Sequence, residues 1–471
     1  MRLLFVEDDT TFAREVEPAL ARHCDDVAWV RSRNSALLAL ANTSFDLIIL
    51  DRKLPTADDV LDDHEEHGWA IFQSIRERSP GTPVWFLTGT EDPDFAADIN
   101  NEYGKTADLH GHGPAEQMYR VFWKRRISDC LRAVARFAEE RIVLEGIAIT
   151  QPANLQLNAD ECRVLRLYTR RNLGSLAVVS SLNGGLSNSR VLKVFVKAAD
   201  QRILATAAAK VAPLAMTNDE GQRYRSNILR LRPGGFPQLA ATIDVGAGNT
   251  GGLFYGMVGD DVESLFDRLV AGHAVVPDVP PQLRALCAPW YQARRVETVT
   301  VGQIRRRFIS DTKLHEKQAE LDGIDVTGIE ARQVSAAGCC QHRDLHCANV
   351  VFDERGLPML IDFGDTGASF AATDPVTLEL STIFHSQHAT LPVGWPTEEN
   401  LASWHDLGGF SAGCPFPAFI AACRTWANAE AASVDEVVAV AYSYAVRQLK
   451  YEDTNKVLAR ALIRSCLQYF A

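Results

Sequence analysis

The sequence predicts an α/β domain built on a doubly wound, five-stranded parallel sheet, followed by an α+β domain of two lobes. Short apolar runs ending in acids or a threonine (RLLFVED, FDLIILD, TPVWFLTG) predict the first. Helical patterns lie between these runs, and strands alternating with helices make a parallel sheet covered on both faces. A Gly-containing hairpin pattern near residue 180, and the stretch HRDLHCANVVFDERGLPMLIDFGD at 342–365, predict the second.

The 471 residues allow roughly two to four domains. Hydrophobic residues make up 46% and charged residues 23%, which fits an ordinary globular protein. No apolar run approaches the ~20 residues of a membrane span. The opening MRLLFVEDDTTF reaches acids too soon for a signal peptide, so a cytoplasmic location is expected. The 10 cysteines form no CxxC pair or zinc spacing and read as small buried hydrophobes. Of the net charge of −12, residues 1–140 carry −10 (16 basic, 26 acidic) and the remainder −2 (32 basic, 34 acidic). The second part therefore lacks the basic footprint of a DNA-binding output.

In the first domain the strands are expected at RLLFVED, VAWVRS, FDLIILD, TPVWFLTG and the run before Lys124. Functional groups in parallel sheets gather beyond the carboxyl ends of the strands, where Glu7, Asp8, Asp51 and Thr88 fall. Three carboxylates on neighbouring strand ends repel one another unless a cation lies among them. Oxygen ligands at a semi-open site suit Mg²⁺. A carboxylate beside that ion can attack a phosphoryl donor, Thr88 can hydrogen-bond a phosphoryl oxygen, and a nearby lysine can pair with it.

This constellation resembles the receiver domain of two-component response regulators, over roughly residues 1–145. The resemblance implies a flavodoxin-like fold with Asp51 as phosphoacceptor and Glu7 and Asp8 as the acidic metal pair. It also implies a ligand from the Lys53 backbone carbonyl and makes Thr88 the hydroxyl switch residue. Lys124, between a strand-like run and an amphipathic helix, is the preferred switch lysine, and Lys105 is the alternative. The resemblance further implies a sensor histidine kinase as phosphodonor, and it allows a homodimer through the receiver. Two stretches depart from the pattern: a long acidic loop at 56–68, read as solvated or as a docking surface for a basic partner, and an insertion at 107–117. His110 and His112 read as loop residues.

Residues 146–174 are expected to form a helical linker, with a break at QPAN and a capped helix in LNADECRVLRLYTRRN. From 175 the pattern is strand, Gly-rich turn, strand. Gly184 and Gly185 allow close backbone approach, and Ser187, Asn188 and Ser189 can donate to phosphate oxygens. Lys210 ends the next strand, within reach of nucleotide phosphates. Glu220 can hold it by an ion pair, although ten residues is a short separation for that role. LFYGMV, 253–258, is expected to be a strand that can end in a hinge over an adenine pocket, at Met257.

In HRDLHCAN, Asp344 is followed five residues later by Asn349. Two short strands then lead to Asp362 in IDFG. Asp344 can accept the proton of an attacking hydroxyl, and Asn349 and Asp362 can supply oxygen ligands to Mg²⁺ on ATP phosphates. These motifs resemble the protein-kinase-like fold and, within it, the aminoglycoside phosphotransferase family. The resemblance implies a bilobal domain over 175–471, with a small lobe to about 258 and a helical lobe from about 259. It implies ATP and Mg²⁺ as cofactors, with Asp344, Asn349, Asp362 and Lys210 as catalytic residues and a small molecule or protein as acceptor. Arg343 stands where the family commonly has glycine, and no long activation segment follows DFGD. The expected function is a receiver-controlled, ATP-dependent phosphotransferase acting on a hydroxyl. The alternative is a catalytically weak nucleotide-binding adaptor or pseudokinase scaffold. Neither membrane nor DNA is expected as a partner.

Overall fold

The computed structural model describes residues 1–90, 92–113, 115–182, 190–259, 262–391 and 394–471. The chain divides into two compact units, Met1–Gly221 with Leu239–Met257, and Gln222–Gln238 with Val258–Ala471.

The first unit opens with the expected parallel sheet. Its strands, in chain order, are Arg2–Val6, Asp26–Val30, Leu47–Leu50, Val84–Thr88 and Tyr119–Trp123. In space they run 2-1-3-4-5. The central three are buried on both faces, apart from the first residue, Arg2. Continuous apolar runs are what such a position demands. Asp9 caps the helix Thr10–Leu20 by accepting from the amides of Thr11 and Phe12. Of the acids in VEDD it serves the helix end, which leaves Glu7 and Asp8 for the strand end.

A six-stranded sheet follows in the same unit. Strand Ala148–Thr150 pairs in parallel with Leu176–Ser181 at one edge. The others, Arg190–Lys197, Ile203–Pro213, Thr250–Gly256 and Leu239–Ile243, continue it antiparallel. Residues 146–174, read from sequence as a helical linker, therefore contribute an edge strand to this sheet. The helix Ala159–Arg171 packs Val164, Leu165, Leu167 and Tyr168 into the sheet's core. Periodicity revealed the helix. The strand is three residues long, too short to register as a pattern.

The receiver sheet and the six-stranded sheet meet within this unit. The Gly81 amide donates to the Gly248 carbonyl at 2.9 Å, and the Gly246 amide to the Gly81 carbonyl at 2.8 Å. A Cβ on Gly81 would lie 2.6 Å from the Gly248 oxygen, so only glycine permits this approach. Arg141, on the receiver's last helix Ile127–Glu145, is buried and donates to Asp46 at 2.8 Å and to the Gly246 carbonyl at 3.2 Å. Arg163 reaches the same Asp46 oxygen at 2.7 Å. Burial pushes the Asp46 carboxyl up, but the two guanidinium groups more than reverse this and hold it below the usual range.

The insertion at 107–117 takes part in this joint. Strands Thr106–Ala107 and Glu116–Gln117 pair at its base. The His110 carbonyl accepts from Arg170 at 3.1 Å, and the Lys105 ammonium meets Asp244 at 2.9 Å. His110 is buried, with its ring 4.9 Å from that of Phe137. Burial first, and then Arg141, lowers its pKa to about 4.

The second unit holds a three-stranded sheet of Arg295–Thr300, Gln333–Gln341 and Gly367–Phe370, and the hairpin Val350–Phe352 with Pro358–Leu360. Around them lie the helices Val279–Tyr291, Thr373–Phe384, Pro417–Glu430, Val434–Gln448 and Lys456–Phe470. Every residue of Thr373–Phe384 is buried, its two acids included, because each has partners: Asp374 the His342 and Arg343 amides, Glu379 the Arg424 guanidinium at 2.7 Å. Among the described residues, no helix is long and apolar enough to cross a membrane.

Candidate functional site

At the receiver strand ends, Glu7, Asp8 and Asp51 bring one carboxylate oxygen each within 4.8 Å of one another. Lys124 joins them, its ammonium 2.7 Å from Glu7 Oε1 and 2.6 Å from Asp51 Oδ2. Lys105, the alternative, pairs with Asp244 instead. Burial, and then the charge of Asp51, raises the Glu7 carboxyl to about 8. Asp51 and Asp8 are also raised, chiefly by burial. Lys124 is raised because Asp51 and Glu7 outweigh the cost of its burial. Glu7 Oε2 is buried without a hydrogen-bond partner. The three carboxylates carry more negative charge than the single Lys124 ammonium offsets, and with the orphaned Glu7 oxygen among them they form an oxygen donor set that fits a divalent hard cation such as Mg²⁺. Thr88 ends its strand buried, and its hydroxyl accepts from the Thr90 amide at 3.3 Å. The Lys53 amide lies 3.4 Å from Asp51 Oδ1, and its ammonium pairs with Asp63 at 3.0 Å.

In the six-stranded sheet, Lys210 lies opposite Leu253 and Val191. Its ammonium meets Glu220 Oε2 at 2.7 Å, and Glu220 Oε1 accepts from the Tyr255 hydroxyl at 2.9 Å. The short separation works because the strand Ile203–Pro213 passes directly into the helix Leu214–Asn227 without a loop. Met257 lies one residue beyond the strand Thr250–Gly256. Gly184, Gly185, Ser187, Asn188 and Ser189 lie outside the described residues.

The stretch 342–365 is organised by Asp374, a buried acid at the start of Thr373–Phe384. It accepts from the His342 amide at 2.8 Å and the Arg343 amide at 2.9 Å. The His342 ring is 3.0 Å from the Ile361 carbonyl, next to Asp362. Asn349 Nδ2 donates to the Asp344 carbonyl at 2.9 Å, so the amide oxygen is its remaining ligand atom. Arg343 and Asp362 adopt left-handed backbone, with φ of 70° and 63°. Such conformations cost roughly 1–3 kcal/mol each at non-glycine residues and cluster at functional sites. The positive φ is the physical reason a glycine suits position 343.

Asp344 has two neighbours that the sequence did not indicate. Arg447 Nη2 lies 3.3 Å from Oδ1, and His346 Nε2 3.6 Å from Oδ2. Burial, above all other causes, holds His346 at about 4, so its ring is neutral near pH 7. Asp374 also escaped notice. Its only trace is the first of two acids, Asp374 and Glu379, in the run ATDPVTLEL.

Comparisons with known proteins find two families along the chain. The response regulator receiver domain family matches residues 3–104, and the phosphotransferase enzyme family matches residues 178–390. The transcriptional activator protein IrlR of Burkholderia pseudomallei (strain 1026b) is 33% identical over 92 residues, 20% of this chain and 36% of the relative. The chain thus spans about a third of that relative. Among solved structures, a CheY-like receiver domain protein of Methanospirillum hungatei is 17% identical, covering 30% of this chain and 96% of its own, with a TM-score of 0.21. A thermostable aminoglycoside phosphotransferase in ternary complex with ADP and hygromycin B is 11% identical, covering 61% and 93%, with a TM-score of 0.33. The chain joins a response regulator receiver domain, residues 3–104, to a domain of the phosphotransferase enzyme family, residues 178–390.

Proposed function

We propose that this chain is a two-component signalling protein whose receiver takes a phosphoryl group on Asp51 and thereby regulates an ATP-dependent phosphotransferase. The observation that carries the reading is the loop held by Asp374, which fixes the two backbone amides immediately before Asp344, those of His342 and Arg343.

At the receiver, an Asp51 oxygen attacks the phosphorus of a phosphohistidine on a sensor kinase. The P–N bond breaks and the imidazole leaves with a proton. Lys124 and Thr88 then hold phosphoryl oxygens. Glu7, Asp8, Asp51 and the Lys53 carbonyl would hold Mg²⁺, which supplies neutralisation of phosphoryl charge. In the kinase-like domain, Asp344 takes the proton of an acceptor hydroxyl as its oxygen attacks the γ-phosphorus of ATP, and the bond to the β-phosphate oxygen breaks to leave ADP. Lys210, positioned by Glu220, pairs with phosphate oxygens, and Met257 lies beside the base. Asn349 and Asp362 would hold the Mg²⁺ of the nucleotide. Regulation is supported by the joint between the receiver and the six-stranded sheet: Asp46, at the base of the strand that leads to Asp51, is held by Arg163 of that sheet's own helix.

Acetyl phosphate should label the wild-type protein and leave Asp51→Asn unlabelled. Absence of labelling in wild type would defeat the receiver half. With Mg-ATP and a panel of hydroxyl acceptors, wild type should transfer phosphate and Asp344→Asn should lose it by at least about 100-fold. The second reading, a nucleotide-binding adaptor, is favoured by the Arg447 guanidinium resting on Asp344. ATP binding without transfer to any acceptor would decide for it.

A further inference from the structure

Beside the catalytic loop lies a cavity of about 190 Å³ whose walls include Arg307, Arg343, Arg447 and Lys450, with Asp365 as the one acid. All belong to the second unit. Arg343 comes from the loop that carries Asp344, Arg447 from the helix Val434–Gln448, and Lys450 from just beyond that helix. Arg307 follows the short helix Val301–Arg305. Only the tertiary fold brings these four cations together.

Three features set this cavity apart from an ordinary solvated basic patch. First, Arg343 occupies a left-handed position that glycine would take without strain. Its guanidinium is fixed there by the Asp365 carbonyl at 3.3 Å and the Arg307 carbonyl at 3.2 Å. Second, the cations crowd one another. The Arg343 guanidinium is held below its ordinary pKa, by burial first, and Arg223, Arg307 and Arg447 add to the effect against Asp365. Third, Arg447 is shared. It touches Asp344 with Nη2 and also lines the cavity. The hydroxyls of Ser369 and Thr373, 2.9 Å apart, complete the wall as neutral hydrogen-bonding groups.

Convergent like charges in a partly buried recess are costly unless an anion joins them. Guanidinium groups match phosphate oxygens in pairs, so phosphate is the anion this set recognises best. The volume narrows the choice further. Drug-sized ligands fill cavities of roughly 300–1,000 Å³, so about 190 Å³ suits a single oxyanion group. A polycationic amino sugar would meet four like charges.

We infer that this cavity binds a phosphate group of the acceptor, and that the acceptor is a small phosphorylated alcohol whose free hydroxyl lies at Asp344. The substrate class rests on the phosphotransfer reading above; the anion site is tested apart from it.

Calorimetric titration of the full chain with inorganic phosphate, with ADP saturating, should show binding that Arg343→Gly and Lys450→Met each weaken by about tenfold or more. No binding in wild type, or equal binding in both variants, overturns the site. Turnover with sugar phosphates, hydroxycarboxylates, neutral sugars and aminoglycosides then tests the class. Sugar phosphates should be preferred, with KM raised at least tenfold by Lys450→Met. Preference for hydroxycarboxylates would assign the site to a carboxylate and overturn the phosphate. Preference for neutral or cationic acceptors, unaffected by Lys450→Met, would overturn the anionic class. Phosphate binding that both variants weaken, with transfer to no acceptor, would defeat the phosphotransfer reading and leave the anion site standing.

Discussion

Single side chains carry much of the organisation of this protein. Asp374 satisfies the amides of His342 and Arg343 from a fully buried position. Removing a buried acceptor leaves its donors unsatisfied, at roughly 1–3 kcal/mol each. Asp374→Ala should therefore destabilise the protein by about 2–5 kcal/mol in denaturant unfolding. Asp374→Asn, which keeps one acceptor oxygen, should cost less. His110 offers a prediction of a different kind. Its folded pKa of about 4 lies below the ordinary 6.5, so the unfolded chain binds the proton more readily. Its contribution to stability is present above pH 6.5 and is lost as pH falls towards 4, on the order of 3 kcal/mol in all. His110→Phe should flatten that part of the stability–pH curve, as read by chemical denaturation at a series of pH values.

At the scale of elements, legibility followed the length and regularity of pattern. Strands such as Leu47–Leu50 and Val84–Thr88 are continuous apolar runs, and their ends locate Asp51 and Thr88 from sequence alone. The hairpin Val350–Phe352 with Pro358–Leu360 was legible because two short apolar runs flank the turn ERG. The strand Ala148–Thr150 was not, because three residues carry no periodicity and its partner begins 26 residues further on. Arg307, Arg447 and Lys450 were silent for another reason: nothing local links them, and tertiary packing alone makes them neighbours. His110, in the insertion at 107–117, read as a loop residue, and the fold buries it. Gly111 shows why the insertion's path is exacting. With φ of 78° and a Cβ that would lie 2.6 Å from the Leu167 carbonyl, it admits no side chain. Gly111→Val should lower stability by more than about 2 kcal/mol, seen as a fall in Tm, whereas Gly113→Ala has no neighbour to strike within 4 Å and should cost less.

At the scale of the whole molecule, the receiver and the six-stranded sheet belong to one compact unit. Asp46 neutralises two arginines, one from each. Asp46→Asn would leave the buried Arg141 short of its counter-charge, at a cost of about 3–5 kcal/mol. Hydrogen exchange should then show loss of protection in both sheets together. Protection lost from the receiver alone would mean that the two fold independently. The isolated fragment 1–145 should also melt below the full chain, because it uncovers Arg141 and the residues around Gly81.

The paired amides and carbonyls of Gly81, Gly246 and Gly248 bear on how such a chain can be rebuilt. Response regulators invite modular engineering, in which one input is exchanged for another at a flexible tether. Here the seam is stitched through main-chain atoms at three glycines and through the His110 carbonyl, which accepts from Arg170. A chimaera carrying a foreign receiver would have to import these contacts too, so the receiver and the sheet that follows it are expected to diversify as a single heritable block.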